Sequence, residues 1–309
     1  MKKVLINILI IFAIVAACDI AVGFLGNKIL MGTPEVGTLQ ADAYQAMFKK
    51  KADVLILGSS RARHTFQPKM IADSTGLTAY NAGYDGHGMN YALIVLQSFL
   101  ERCKPQVVVL EACAAMVTDE WLNNSIDDVK HFYGLNAPLT NYVKEYGSWQ
   151  LQAKLNSNLY RLNSMPTWLV KARTIPSREC DGYEPQYGNL ADTAIINFTD
   201  FETNDIQVKC FEQIIETCKK HNIKLIVYIA PSLEVTAKFQ KWMNDFCAKR
   251  DVILKDHGCD PYFFSNRHYY FNDSDHLNDI GAREMTNISI GDIKVLVKQS
   301  ALGVAQELP

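Results

Sequence analysis

The chain has 309 residues, 48% of them hydrophobic and 21% charged, and its 31 Lys and Arg against 33 Asp and Glu leave a formal net charge of −2. That apolar content excludes intrinsic disorder, 17 glycines exclude a collagen, and eight cysteines in so long a chain exclude a disulfide miniprotein. Neither the whole chain nor a tail carries a basic field, so no nucleic-acid partner is expected.

The first predicted element is a membrane helix. Met1-Lys2-Lys3 precedes an apolar run from Val4 to Leu25 that only Asn7, Asp19 and small residues interrupt. A helix over that run extends about 33 Å at ~1.5 Å per residue, enough to cross a bilayer core. The paired lysines keep the N-terminus cytoplasmic and export everything after Lys28. The expected location is therefore a bacterial inner membrane, single-pass, with the body in the periplasm or outside. Asp19 is costly in lipid, although near the outer end it reaches the interface. Three other readings compete: a cleaved signal peptide, a buried soluble helix, and a lipoprotein anchored at Cys18, because Val15-Ala16-Ala17-Cys18 resembles a lipobox. The apolar run continues past Cys18, which favours the uncleaved anchor.

Residues 31–50 read as a juxtamembrane linker and short helix, 51–299 as an α/β domain, and 300–309 as a tail. Val54-Leu55-Ile56-Leu57 is a continuous apolar run ended by Gly58, the pattern of a strand buried on both faces of a parallel sheet. A short strand follows at 78–81, and further runs lie at 107–110, 223–230 and, weakly, 252–254. Helical patterns at 66–75, 87–103, 206–221, 233–249 and 279–290 alternate with them. The alternation predicts a three-layer α/β/α fold with a doubly wound, mostly parallel sheet of about five strands. Residues 118–204 break the alternation and read as a partly helical insertion, with prolines at 138, 166, 176 and 185. Its aromatic residues (Tyr133, Tyr142, Tyr146, Trp149, Tyr160, Trp168) either line a sugar-binding cleft or pack the insertion onto the core. Beyond Cys18 there are seven cysteines, an odd number, so at least one lies outside any intramolecular bridge. Cys210 and Cys218 sit too far apart on one helix to bridge each other. No Cys or His spacing suggests zinc, and no metal or organic cofactor is expected.

Chemistry in such sheets collects at the carboxyl ends of the strands. Gly58-Ser59-Ser60-Arg61 occupies such an end, where a serine on a tight turn projects its hydroxyl beside free backbone N–H groups. Asp273-Ser274-Asp275-His276 precedes the last helix, and an Asp three residues before a His can fold back to fix its tautomer. The competing reading makes Asp273 or Asp275 a helix cap and His276 a surface residue.

Taken together, a strand-end serine near the start of the domain and Asp-x-x-His near its end resemble the SGNH/GDSL hydrolase family over roughly residues 50–290. The resemblance aligns the nucleophile with Ser60, the general base with His276 and its orienter with Asp273. Tyr80-Asn81-Ala82-Gly83 looks like the second block, which implies that backbone N–H groups of Ser60 and Gly83 form the oxyanion hole. The third block departs from the family: Gly-x-Asn-Asp is replaced by Glu111-Ala112-Cys113-Ala114, placing Cys113 near the position of the oxyanion Asn. Losing one such donor costs about 10²–10³ in rate in a serine protease. Gly-Ser-Ser-Arg, the segment at 81–86 and the N-terminal anchor are similar to a membrane-anchored branch of cell-envelope proteins, such as the D-alanyl-transfer protein of teichoic acid synthesis. The implied activity is serine ester hydrolysis or O-acyl transfer on acyl esters of envelope glycans, with an integral membrane acyltransferase as a potential partner. The alternative is a non-catalytic module that binds glycan or such a partner. Candidate substrate-binding residues are Arg61, Arg63, Asp85, His87 and Cys113, with His64 and Asn90 beside them.

Overall fold

A computed structural model describes residues 1–32, 39–164, 166–167, 181–191 and 201–306; Trp168, Pro176 and Cys180 lie outside them. These residues form two compact units, one of Met1–Ala41 with Asp127–Ser177 and one of Asp42–Ile126 with Arg178–Pro309.

The second unit is built on five parallel strands: β1 (Val54–Leu57), β2 (Ala79–Asn81), β3 (Val107–Glu111), β4 (Lys224–Ile229) and β5 (Ile253–Asp256), in the order β2-β1-β3-β4-β5. This is the expected doubly wound α/β fold. β1 and β3 are buried at every residue, as their uninterrupted Val, Leu and Ile require. Alternate residues of the central strands (Val54 and Ile56, Val107 and Val109, Ile226 and Tyr228) share one core with Ile71, Phe271, Met285 and Ile293. β5 at the sheet edge leaves Ile253 43% exposed. The connection after β1 runs outward to β2, and the chain then returns to the other side of β1 as β3. That reversal falls between β1 and β3, and in open α/β sheets ligands bind outside the carboxyl ends of the strands at such a point.

Helix α1 (Lys2–Gly32) belongs to the first unit; in the second, α2 (Ser60–Thr65) and α3 (Pro68–Thr75) follow β1, and α4 (Met89–Leu100) follows β2. The sequence pattern predicts a helix only from 66. In the structure the turn after β1 is already helical, and the break falls at Pro68, which lacks an N–H and starts α3 at its first turn.

The insertion is partly helical where it is described: residues 181–191 carry no helix, whereas α5 (Ala137–Tyr146), α6 (Trp149–Asn156) and α7 (Asn158–Arg161) lie in the first unit. Their starts are capped by the side chains of Asn136, Ser148 and Ser157. Tyr133 and Tyr142 are buried, whereas Trp149 is exposed. In the second unit α8 (Asp205–Lys220) buries Gln207, Cys210, Phe211, Ile214 and Cys218 at helical spacing and is capped by Asn204. α9 (Ala237–Ala248) covers β5, and α10 (Asp279–Gln306) closes the core. α10 passes the expected end at 290 because Gly291 sits in open space while Ile293 and Leu296 continue the buried stripe. The described cysteines are free thiols, and Cys113, Cys210, Cys218 and Cys247 are buried like small hydrophobes.

Candidate active site

The site begins with a backbone constraint. Gly58 leaves β1 at φ 145°, and a Cβ there would lie 2.7 Å from Ala62 Cβ and 2.8 Å from the Glu111 carbonyl oxygen. Only glycine permits that turn. The two serines after it divide the work. Ser59 is fully buried and caps α2, its Oγ accepting the Arg61 N–H at 3.3 Å. Ser60 is the first helical residue, so its own N–H has no intrahelical acceptor. Its Oγ lies 2.8 Å from His276 Nε2.

His276 is held by the loop before α10. Asp273 Oδ1 accepts the backbone N–H groups of Asp275 at 2.9 Å and His276 at 2.8 Å, and its carboxylate meets His276 Nδ1 at 3.0 and 3.2 Å. Asn272 Nδ2 donates to the same carboxylate at 3.0 Å. A proton on Nδ1 satisfies Asp273 and leaves the Nε2 lone pair facing Ser60. A bridge between Phe271 and Leu277 closes the base of the loop, and α10 is capped by Asn278, whose Oδ1 accepts from Ile280 and Gly281. The cap is therefore neither Asp273 nor Asp275. Burial pulls the His276 pKa down, but the Asp273 hydrogen bond and the charges of Asp275 and Asp273 outweigh it, and the net direction is up. Burial raises Asp273, yet its bonds to His276 and to the loop backbone leave it well below the usual carboxylate range.

The expected oxyanion donors are arranged differently. The Gly83 N–H donates to Asn81 Oδ1 at 2.9 Å, so the side chain two residues back already holds the donor assigned to substrate. Gly83 is needed for another reason: a Cβ there would lie 2.7 Å from the Arg63 nitrogen. Cys113 is buried with its Sγ 3.7 Å from Ser59 Oγ, and burial pushes its thiol far above the ordinary range. It faces the cap rather than solvent. The Ser60 N–H remains the one expected donor without such a commitment.

The candidate substrate-binding charges also turn inward. Arg61 is 3% exposed, with Nε 3.1 Å from Glu111 and a terminal nitrogen 3.5 Å from Asp275, and it donates to the Ala230 carbonyl. Arg63 is held by Asp42 at 2.8 Å and Glu184 at 2.9 Å, with Asp85 at 3.8 Å. Both guanidiniums neutralise the protein's own carboxylates instead of reaching outward. His87 is buried against Tyr84 and Tyr91, its Nδ1 donates to the Asp85 carbonyl at 2.7 Å, and burial pulls its pKa to about 4. It is neutral and packed away from solvent. Asn90 likewise serves the scaffold, donating to the Leu122 carbonyl at 2.9 Å. Asp85 does stay near His276: His64 lies 3.6 Å from its carboxylate and meets the His276 ring edge-on at 5.5 Å. Burial raises Asp85, but the His64 hydrogen bond and the Arg63 charge bring it below its ordinary value.

Two residues that the sequence reading names without a role at the site complete the electrostatics. Asp275 Oδ2 lies 4.0 Å from His276 Nε2, and Ser232 donates to its other oxygen at 2.9 Å. Glu111 ends β3 fully buried, and burial pushes it to about 7 against the opposing charge of Arg61. A carboxylate closing a Val-Val-Val-Leu strand at the sheet's reversal is the signal that could have marked it.

No family model matches the chain, and no curated protein matches it. Among solved structures it is similar to a GDSL-like lipase from Bacteroides thetaiotaomicron, at 11% identity and TM-score 0.37 over 82% of this chain and 89% of that one. It is also similar to a protein described as a platelet activating factor from Streptococcus pneumonia, at 13% identity and TM-score 0.43 over 89% and 98% of the two chains. An acetyl xylan esterase, AlAXEase, follows at 14% identity and TM-score 0.39 over 77% and 96%. The site geometry, not these likenesses, carries the reading that follows.

Proposed function

We propose that the chain is a membrane-anchored serine ester hydrolase or O-acyltransferase of SGNH type. The observation that carries this is the unbroken line from Ser60 Oγ through His276 to Asp273, at 2.8 Å and 3.0 Å. Ser60 Oγ attacks the ester carbonyl carbon while His276 Nε2 takes its proton. The proton passes to the departing alkoxide, leaving an acyl group on Ser60. Water or an acceptor hydroxyl then attacks that acyl group, gives its proton to His276, and Ser60 recovers its own. Asp273 and Asp275 stabilise the imidazolium in each half, and the Ser60 N–H, at the positive end of α2, supports the oxyanion. Acyl esters of envelope glycans are the substrate class suited to a body tethered outside a bacterial inner membrane by α1, with an integral membrane acyltransferase as a donor partner.

One observation favours a second reading, the non-catalytic binding module. The Gly83 N–H is committed to Asn81, so the oxyanion has one expected donor fewer. Fluorophosphonate labelling decides between them. The full chain in detergent should label and release acetate from an aryl ester, and S60A should lose both, with turnover down at least ~10³-fold. Equal, negligible signals from two folded proteins would remove the enzyme reading and leave the module.

A further inference from the structure

Within the first unit, α1 carries a polar clasp. The Asp19 carboxylate accepts from Ser157 Oγ at 2.8 Å, Asn158 Nδ2 at 2.9 Å and the Leu159 backbone N–H at 2.9 Å. Further along the helix, Arg161 donates to Asn27 Oδ1 at 2.9 Å, and Gly23, Gly26 and Leu30 are buried. A Cβ on Gly23 would come within 2.5 Å of Asn158 Cγ, so the contact is as close as the missing side chain allows. Apart from the exposed Lys28, the rest of this stretch is largely apolar, with Ile20 70%, Phe24 72%, Leu25 57% and Ile29 46% exposed. That face continues directly from the exposed apolar residues between Val4 and Val15.

Length then fixes depth. At ~1.5 Å per residue the helix from Lys3 to Asp19 covers about 24 Å, whereas the hydrocarbon core is roughly 30 Å thick. With Lys3 at the near boundary, Asp19 falls about 6 Å short of the far one, and any tilt leaves it deeper. A carboxylate at that level has little water and requires donors from the protein. The turn at 157–159 supplies three.

We infer that this turn enters the outer leaflet together with Asp19, so that residues 157–159 and the outer half of α1 form one platform seated in lipid. The occupant of its uncovered face is the boundary between acyl chains and headgroups. Leu159, pinned to Asp19 by its own N–H, is 40% exposed. On the following residue the Tyr160 ring has Lys130 and Lys154 within 5.2 and 6.0 Å, an aromatic and cationic pairing suited to the headgroup level. The inference rests on the anchor reading of α1 and is independent of the chemistry at Ser60.

The test uses the full chain in phosphatidylethanolamine–phosphatidylglycerol vesicles, with L159W adding a fluorophore at an exposed position. Emission added by L159W should fall by about half or more when the acyl chains are brominated near their carbonyl ends, and should resist aqueous iodide. An alkaline carbonate wash of the same vesicles reports on the anchor. Release by carbonate overturns the anchor reading and this inference with it. Retention with emission quenched by iodide alone overturns the lipid seat and spares the anchor. Retention with shielding from both quenchers points to a second copy on that face and also overturns it. Should L159W fail to fold, the same comparison is made with Y160W, at the adjoining position assigned to the headgroup level.

Discussion

His276 sits beside two carboxylates, Asp273 and Asp275, and its pH behaviour follows from which of them dominates. Its pKa is raised, and a general base works only when neutral, so activity should climb with pH through a midpoint above the ordinary 6.5. D273N removes the strongest of the raising contacts. The midpoint should then move down, while kcat falls by roughly 10³–10⁴ because the imidazole loses its tautomer and orientation. A pH profile of kcat/KM for both proteins checks this, and an unmoved midpoint in D273N would refute the assignment. At this scale the sequence makes a contact legible where partners are close in the chain: Asp273 and His276, three residues apart, meet at 3.0 Å. It fails where partners are distant. Nothing around Arg61 announces that Glu111 and Asp275, 50 and 214 positions on, will bury it between them. Gly83 fails differently, because a local side chain, that of Asn81, folds forward and takes its N–H before any substrate can.

Among the elements, β1 and the turn that leaves it govern the site. Gly58 combines a left-handed φ of 145° with contacts that leave no room for a methyl group. G58A should therefore cost about 2–4 kcal/mol and move α2, whose first residue is Ser60. Thermal unfolding measures the first effect and fluorophosphonate labelling the second; retention of both would show that the turn relaxes around Cβ. The strands were legible because buried parallel strands are continuous apolar runs, visible without any partner. α2 was not legible: six residues containing Arg61, Arg63 and His64 show no amphipathic period, since burial there is achieved by ion pairs rather than by apolar faces. The end of α10 was missed because Gly291 looks like a stop, although its open surroundings let the helix run through.

At the scale of the whole molecule, the buried charges link folding to pH. Glu111 holds its proton more tightly in the folded state, with a pKa of about 7 against an ordinary 4.5. Its stabilising share is fully present below about pH 4.5 and is lost as pH rises through about 7, on the order of 3 kcal/mol in all. Urea midpoints should accordingly fall between about pH 5 and about pH 8, and E111Q should flatten that fall; an identical decline in E111Q would locate the titration elsewhere. Hydropathy alone revealed α1, but not what it meets, because Ser157-Asn158-Leu159 reads as an ordinary helix start. Its meeting with Asp19 also has a cost in time. The two sites lie 138 residues apart, and at roughly 5–20 residues per second a ribosome needs about 7–28 s to make the second after the first. During that wait the nascent helix holds a carboxylate that nothing has yet clasped, so it is free to slide until the later segment arrives. On the proposed anchor reading, biogenesis is then a two-stage event, in which translocation chooses the orientation of the helix and the delayed folding of residues 127–164 locks its height.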